Sequence, residues 1–154
     1  MKFAGDDFTS KATALVERAS ESTLDSAIDA DIAAGTVKDK GSVTRDLLRL
    51  MRGLAFICNF IEQLIKADPS EESMVDPIWA AYEKELAPYH PWVLQQTVKA
   101  GVYMVPYRSA TLEAWGLSEE KGQEVGPGVV ANIKKSVDAL RALFTGARAL
   151  GTEW

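Results

Sequence analysis

The chain has 154 residues, with 17 basic and 22 acidic side chains, a formal net charge of −5 and 47% hydrophobic residues. This size predicts a single globular domain over residues 1–154, and the acidic balance argues against nucleic-acid binding, which usually needs a basic surface. No apolar run approaches the roughly 20 residues that span a bilayer, and the start of the chain lacks the apolar segment of a signal peptide.

Apolar residues recur at helical spacing along the whole chain, and alternating β-branched patterns are absent, so the sequence predicts an all-α fold. Gly35 is expected to end the second helix, while Asp76 is expected to cap another with Pro77 at its first position. The segment SEEKGQEVGPG is rich in glycine and is predicted to be a loop. In chain order, the predicted helices cover about residues 7–19, 22–35, 42–67, 76–86, 91–106, 109–115 and 129–150.

Residue positions at 100° steps separate two faces of the long helix at 42–67. Arg45, Arg49 and Arg52 fall on a narrow stripe, which continues further along to Phe56 and Phe60. This pattern suits an amphiphile whose anionic head lies near the arginines, because a guanidinium can donate two hydrogen bonds to a phosphate. The alternative is a helix buried on two sides, with arginines that pair with nearby acids. The wide core face is predicted to contain Leu47, Leu50, Leu54, Ile57, Ile61 and Leu64.

The single histidine, His90, lies in the segment AYEKELAPYHPWVLQQTVKAGVYMVPYR. No metal-ligand spacing and no nucleophile motif accompanies it, so we expect no metal site, no cofactor and no catalysis. On the helix that follows, Trp92, Lys99 and Tyr103 share one face, a composition favoured at membrane interfaces. Packing of these aromatic residues against neighbouring helices is an equally open alternative. The single cysteine, Cys58, precludes an internal disulfide and favours a reduced, cytoplasmic compartment.

Two segments resemble the glycolipid transfer protein superfamily. RDLLRLMRGLAFICNFIEQL resembles the family's long helix with its Arg-Gly-Leu-x-Phe-Ile core, and the segment around the histidine resembles the family's Tyr-His-x-Trp region. The resemblance covers about residues 42–108 well and the C-terminal helix more loosely. It implies an all-α, two-layer helical sandwich that encloses a lipid, with the head group in a surface pocket and the chains in a cavity. Such proteins move lipid between membranes, so no enzyme activity is expected.

The resemblance also implies a head group. Sugar-binding members place a tryptophan on the long helix, where this chain has Arg49, whereas ceramide-1-phosphate-type members carry two arginines four residues apart, as Arg45 and Arg49 are. The implied ligand is therefore a phosphate-headed sphingolipid, and Lys11 would also pair with its phosphate. Asp7 would accept hydrogen bonds from the sphingoid amide and hydroxyl. His90 would hydrogen-bond the acyl-amide oxygen.

For the rest of the lipid, we expect an apolar cavity and a transient membrane contact by a peripherally associating protein. The expected cavity residues are Phe56, Phe60, Leu94 and Val98, and the expected docking residues are Trp92, Lys99 and Tyr103. Family members normally have further helices before the Asp/Lys helix, so a wall of the cavity is expected to be missing. Three alternatives follow from the missing wall: a minimal transfer protein, a homodimer that closes the cavity, or a helical interaction module without transfer. Transfer of a sugar-headed glycosphingolipid is a separate alternative for the ligand.

Overall fold

The computed structural model describes residues 9–13, 16–17 and 23–145. Within these ranges the regular secondary structure is helical and no strand occurs, which confirms the all-α prediction. The short ranges 9–13 and 16–17 are helical, and a 3-10 turn covers Ala87–Tyr89. The helices with defined bounds are α1 (Leu24–Ala34), α2 (Val43–Lys66), α3 (Val75–Glu85), α4 (Trp92–Val102), α5 (Arg108–Ala114) and α6 (Glu119–Ala142).

Several helix ends agree with the sequence prediction to within two residues. Helix α1 ends at Gly35, whose φ of 69° is a left-handed conformation that glycine adopts without steric cost. The predicted cap at Asp76 is wrong, because α3 begins one residue earlier and follows Met74, which makes no side-chain capping bond. Met74 is only 4% exposed, so packing rather than capping fixes this end. Helix α4 also ends at Val102, four residues before the proline expected to close it.

The largest difference from the prediction lies at SEEKGQEVGPG. This segment was expected to be a loop, but from Glu119 onward it forms the first turns of α6, which continues through Pro127. A proline normally disfavours helical backbone at the preceding residue, partly through a clash with that residue's Cβ. Gly126 has no Cβ, which removes that part of the clash and makes this position more tolerant of the following proline. At the other end, α6 stops at Ala142 instead of running on toward residue 150, and residues 146–150 lie outside the described part of the chain.

Gly126 is also a packing position. It is buried, and a Cβ added there would lie 2.6 Å from Cδ1 and 3.0 Å from Cγ1 of Ile65, so the Ile65 side chain would have to shift. We expect Gly126→Ala to lower the free energy of unfolding by about 1–3 kcal/mol, because the added methyl overpacks this contact. Gly128 is the matched control, since a Cβ there meets nothing within 4 Å. Gly128→Ala should raise stability by about 0.5–1 kcal/mol through helix propensity. Equal effects of the two variants in urea denaturation would contradict this account.

One compact unit contains the described residues up to Arg52 together with residues 140–145. Its buried core consists of Ile28, Val43 and Leu47, with partly buried Leu24, Ala27, Leu50, Leu140, Leu143 and Phe144 packed against it. The start of α2 is fixed by Asp31, whose Oδ2 accepts hydrogen bonds from the backbone N–H and the hydroxyl of Thr44 at 2.9 and 2.8 Å. The carboxylate thus satisfies an amide that the helix itself leaves without a partner.

Residues Gly53–Ala139 form the second compact unit. Its most buried charged group is Arg108, which is 3% exposed. The guanidinium of Arg108 donates to both carboxylate oxygens of Glu119 and, through Nη1, to the backbone oxygen of Leu64 at 2.8 Å. The Arg108 backbone N–H donates to the carbonyl of Glu72 at 2.9 Å. This single side chain therefore ties α2 to α5 and α6.

Candidate functional site

Four cationic side chains line one pocket in the first compact unit. The pocket has a cavity of about 110 Å³, and the described residues around it are Lys38, Arg45, Leu48, Arg49 and Arg52. Arg45 and Arg52 are half-buried, while Lys38 and Arg49 are exposed. A pocket with this lining has the chemistry to hold an anion, and three guanidiniums supply planar forks of donors that suit phosphate oxygens.

The first turns of α2 place the arginines of this pocket. The hydroxyl of Ser42 accepts a hydrogen bond from the Arg45 backbone N–H at 3.1 Å and donates one to the Val37 carbonyl, also at 3.1 Å. Arg45, Arg49 and Arg52 then follow at spacings of four and three residues, which put them on one side of the helix. The N-terminal end of a helix carries the positive end of the helix dipole. At this end of α2 the dipole therefore disfavours cations and favours a bound anion.

Lys38 was missed by the sequence analysis. It lies between α1 and α2 in a short loop whose two glycines, Gly35 and Gly41, have φ values of 69° and 88°. The direction of a loop side chain depends on such backbone angles. Residue spacing predicts side-chain direction in a helix but not in a loop, so the sequence pattern did not indicate this position. Lys11, in contrast, is half-buried in the helical range 9–13, and among the described residues it does not line the cationic pocket. Asp7 lies outside the described residues.

In the second compact unit, the His90 ring contacts Tyr82, and the His90 main chain contacts Gln95. The His90 Nδ1 lies 3.0 Å from the Tyr82 hydroxyl, and the centroids of the two rings are 5.6 Å apart. The side-chain amide of Gln95 donates to the backbone carbonyls of Ala87 and His90 at 3.0 and 2.8 Å. His90 is half-buried, whereas Tyr82 is only 2% exposed. Burial raises the pKa of the Tyr82 hydroxyl, which therefore stays protonated over the physiological range.

The four residues expected to form the chain cavity belong to this unit as well. Phe56, Phe60 and Val98 are half-buried, and Leu94 is 40% exposed. The unit contains an apolar pocket of about 120 Å³, but none of these four residues is among its described lining. Their role in holding lipid chains stays a prediction. The apolar wall of the pocket includes Ile61, Leu64, Ile65, Leu112, Leu117 and Val125.

Large apolar side chains are exposed on and beside α4. Trp92 is 71% exposed and Tyr103 is 70% exposed, so neither packs closely against a neighbouring helix. Lys99 shares this region, with its Nζ 5.5 Å from the centroid of the Trp79 ring. Val93, Met104 and Tyr107 are also mostly exposed, at 69%, 85% and 70%. We call Trp92, Val93, Tyr103, Met104 and Tyr107 the exposed apolar set.

Over residues 9–13, 16–17 and 23–145, no group of three or more His, Cys, Asp or Glu side chains is arranged to hold a metal ion. In that part of the chain, none of the helices combines the length and apolar character needed to cross a bilayer. Cys58 is buried, and desolvation is the main reason why the pKa of its thiol is raised.

Comparison with known proteins gives consistent matches. Residues 1–116 match the sequence profile of the family described as Glycolipid transfer protein (GLTP). Accelerated cell death 11 of Arabidopsis thaliana is 34% identical over 154 residues, which cover 99% of this chain and 74% of that protein. The Ceramide-1-phosphate transfer protein of Rattus norvegicus is 30% identical over 102 residues, or 65% of this chain and 46% of that protein.

A solved crystal structure also resembles this chain. The crystal structure of a mutant of Arabidopsis accelerated-cell-death 11, complexed with ceramide-1-phosphate, superposes with a TM-score of 0.88 at 32% identity. The match covers 99% of this chain and 75% of that chain. The resemblance predicted from the long-helix and histidine segments is thereby confirmed, and so is the expected fold class. The chain belongs to the glycolipid transfer protein family.

Proposed function

We propose that the protein binds a phosphate-headed sphingolipid of the ceramide-1-phosphate type and transfers it between membranes without changing it chemically. The observation that carries this proposal is the pocket in which Lys38, Arg45, Arg49 and Arg52 converge. A sugar head group is usually held by an aromatic platform and neutral hydrogen bonds, and the described lining of this pocket contains no aromatic ring. The crystal structure of the Arabidopsis accelerated-cell-death 11 mutant in complex with ceramide-1-phosphate supports the same ligand.

Within this proposal each part of the lipid has its own residues. Arg45, Arg49 and Lys11 pair with the phosphate, Asp7 accepts from the sphingoid amide and hydroxyl, and His90 hydrogen-bonds the acyl-amide oxygen. Lys38 joins the phosphate-binding group because it lines the same pocket as the two arginines. The chains contact a cavity formed by Phe56, Phe60, Leu94 and Val98.

Affinity and selectivity come from different parts of the lipid. Burial of apolar surface contributes about 0.8 kcal/mol per methylene, so a chain of about a dozen methylenes gains on the order of 10 kcal/mol. A hydrogen bond to a charged group contributes only about 1.5–3 kcal/mol. Most of the apolar gain is also available in the donor bilayer and cancels during exchange. The head group therefore decides which lipid is extracted, while the cancellation makes uptake and release reversible.

A vesicle-to-vesicle transfer assay tests the proposal. The donor vesicles contain fluorescent ceramide-1-phosphate, glucosylceramide or phosphatidic acid, and the transfer rate of each lipid is measured at equal protein concentration. We expect ceramide-1-phosphate to be transferred fastest. Faster transfer of glucosylceramide would contradict a phosphate-headed ligand and would indicate a sugar-headed one. Absence of transfer for all three lipids by folded protein would leave a helical interaction module as the better function.

We also propose that the exposed apolar set, together with Lys99, docks on the membrane surface during exchange. These side chains lie on or beside the helix that follows His90, and tryptophan, tyrosine and lysine suit the interface because each combines an apolar body with a polar end. We expect Trp92→Ala to slow vesicle transfer by about 10- to 100-fold, since insertion of an indole is worth roughly 1.5–3 kcal/mol.

Binding of a water-soluble, short-chain ceramide phosphate is the control for Trp92→Ala. This lipid reaches the protein without a membrane, so its dissociation constant should be the same for the variant and the unmodified protein. A variant with reduced affinity for the short-chain lipid would show that Trp92 contacts the ligand itself. Unchanged vesicle transfer would show that this residue does not contribute to docking.

A further inference from the structure

A single carboxylate contacts residues at both ends of the loop between α1 and α2. Asp31 lies in the last turn of α1, and the loop starts at Gly35, where that helix ends. At the start of the loop, Asp31 Oδ1 accepts a hydrogen bond from the Thr36 hydroxyl at 3.3 Å. In the first turn of α2, Asp31 Oδ2 accepts hydrogen bonds from the backbone N–H and the hydroxyl of Thr44 at 2.9 and 2.8 Å. The carboxylate therefore joins the two ends of the loop directly.

The two threonines that donate to this carboxylate lie beside two cations of the cationic pocket. Thr44 directly precedes Arg45 in the sequence. Thr36 is the first residue of a turn in which the Asp39 N–H donates to the Thr36 carbonyl at 2.9 Å, and Lys38 is the third residue of that turn. Both Lys38 and Arg45 line the pocket. The carboxylate therefore influences where these two cations lie relative to each other.

Charge alone gives no reason for a carboxylate at this position. A negative group bonded to the residue next to Arg45 repels an anion in the pocket and so weakens phosphate binding. The hydrogen bonds do give a reason, because an ionised acceptor binds its donors more strongly than a neutral one does. Thr44 is 0% exposed and Asp31 is half-buried, so water competes little for the contact between them. The contribution of Asp31 is therefore structural, and it acts on the loop and on the start of α2.

We infer that Asp31 is a positioning residue for head-group selection, because its carboxylate fixes the turn and the helix start that present Lys38 and Arg45 to the phosphate. The inference rests on the proposed function, since it needs a phosphate-headed lipid in the cationic pocket. It adds to that function a source of selectivity in a pocket whose lysine is exposed. Cations that are already placed lose less conformational freedom when the phosphate binds, so more of their attraction contributes to affinity.

Amide hydrogen exchange in the lipid-free protein tests whether Asp31 holds the loop. We expect peptides that cover residues 36–45 to exchange about 3- to 10-fold faster in Asp31→Ala than in the unmodified protein, because both threonines lose their side-chain acceptor. Peptides from the second compact unit should exchange at the same rate in both proteins. Asp31→Asn is the matched control, since it removes the same charge but keeps an oxygen that accepts from Thr44, and its exchange should match that of the unmodified protein. Unchanged exchange in Asp31→Ala would overturn the inference, whichever lipid the protein binds.

Lipid binding tests the consequence for selection. We expect Asp31→Ala to lower the preference for ceramide-1-phosphate over ceramide by about 3- to 10-fold, the equivalent of one neutral hydrogen bond, while affinity for ceramide stays the same. Asp31→Asn should keep the full preference. Charge alone predicts the opposite sign, since both variants lose a negative group and should bind the anionic lipid more tightly. A raised or unchanged preference in Asp31→Ala, or an equal loss of affinity for both lipids, would overturn the role in selection.

A double-mutant cycle tests whether the effect depends on the pocket. In a Lys38→Gln background, Asp31→Ala should lower the preference by a smaller factor, because one of the two cations that Asp31 positions is absent. The same factor in both backgrounds would count against positioning. Thr36→Val removes only the donor at the start of the loop and should give smaller changes in the same direction, so it provides the test if Asp31→Ala does not fold; unchanged loop exchange in Thr36→Val would then overturn the inference. An unmodified protein without a preference for ceramide-1-phosphate would contradict the proposed function, and the lipid-free exchange separates that failure from a failure of this inference.

Discussion

Substitution of Arg108 by methionine is expected to lower the free energy of unfolding by about 3–5 kcal/mol. Arg108 is 3% exposed, and its guanidinium donates to both oxygens of Glu119 and to the Leu64 carbonyl. Methionine fills much of the same volume but provides no donor. The Leu64 carbonyl then loses its side-chain donor, and the Glu119 carboxylate keeps only the hydrogen bond from Gln123 at 3.2 Å. Urea denaturation followed by far-ultraviolet circular dichroism measures the change, because the described secondary structure is helical.

An exposed ion pair provides the control for this substitution. Lys121 pairs with Glu124 three residues later, and their side chains are 54% and 67% exposed. Lys121→Met removes a cation in the same way but should change the free energy of unfolding by less than about 0.5 kcal/mol. In the double variant Arg108→Met/Glu119→Gln, part of the loss should be recovered, because the carboxylate that lost its cation is now neutral. Similar losses for Arg108→Met and Lys121→Met would contradict a stabilising role for the buried contact.

The pH dependence gives this prediction a second measurement. The hydrogen bond from Arg108 is the main reason why the pKa of Glu119 is lowered in the folded protein. Because the folded-state pKa lies below the unfolded value of about 4.3, the pair stabilises the protein above that pH and loses its effect as the pH falls through the folded-state pKa. The difference in stability between the unmodified protein and Arg108→Met should therefore narrow below about pH 4. The Glu119 side chain is 35% exposed, so solvent screening limits the electrostatic part of this effect.

The helices were predictable where local sequence and tertiary packing agree. Helix α2 was expected over 42–67 and is observed at Val43–Lys66. The prediction succeeded because apolar residues recur at helical spacing over the whole segment. The first turns of α6 were not predictable, because glycine and proline disfavour helix in isolation. Packing overrides that preference at Gly126, where the absent side chain admits Ile65. Such an exception depends on a contact between residues that are 61 positions apart, which a local pattern does not contain.

The candidate site was predictable to a similar extent. Helical spacing alone put Arg45 and Arg49 on one stripe, and the structure places both in one pocket. Lys38 was not found because its position depends on loop angles. The Tyr82 partner of His90 was not found either, because a 3-10 turn separates the two residues and sets their distance. A helical wheel also assigned Trp92 and Tyr103 to one face without telling whether that face is buried or exposed.

The double variant Arg45→Gln/Arg49→Gln is expected to lose most of the preference for ceramide-1-phosphate over ceramide. Each charge-assisted hydrogen bond to phosphate is worth about 1.5–3 kcal/mol, so removal of two guanidiniums should lower the preference by about 100-fold or more. Affinity for unphosphorylated ceramide should change little, because the apolar chains supply most of its binding energy. The measurement is binding to vesicles that contain either lipid, at two salt concentrations, because loss of charge should also weaken the salt dependence.

The control for the double variant must change the net charge by the same amount. Lys66→Gln/Lys135→Gln removes two exposed cations that are not among the described residues lining the cationic pocket. It should keep the preference for the phosphorylated lipid, although a general attraction to anionic vesicles would fall equally in both double variants. Equal losses in the two variants would therefore assign the preference to net charge rather than to the pocket. A loss confined to Arg45→Gln/Arg49→Gln would establish the arginine pair as the source of selectivity. The lipid chains are the same in the two ligands, and the net charge is the same in the two double variants, so neither explains such a difference.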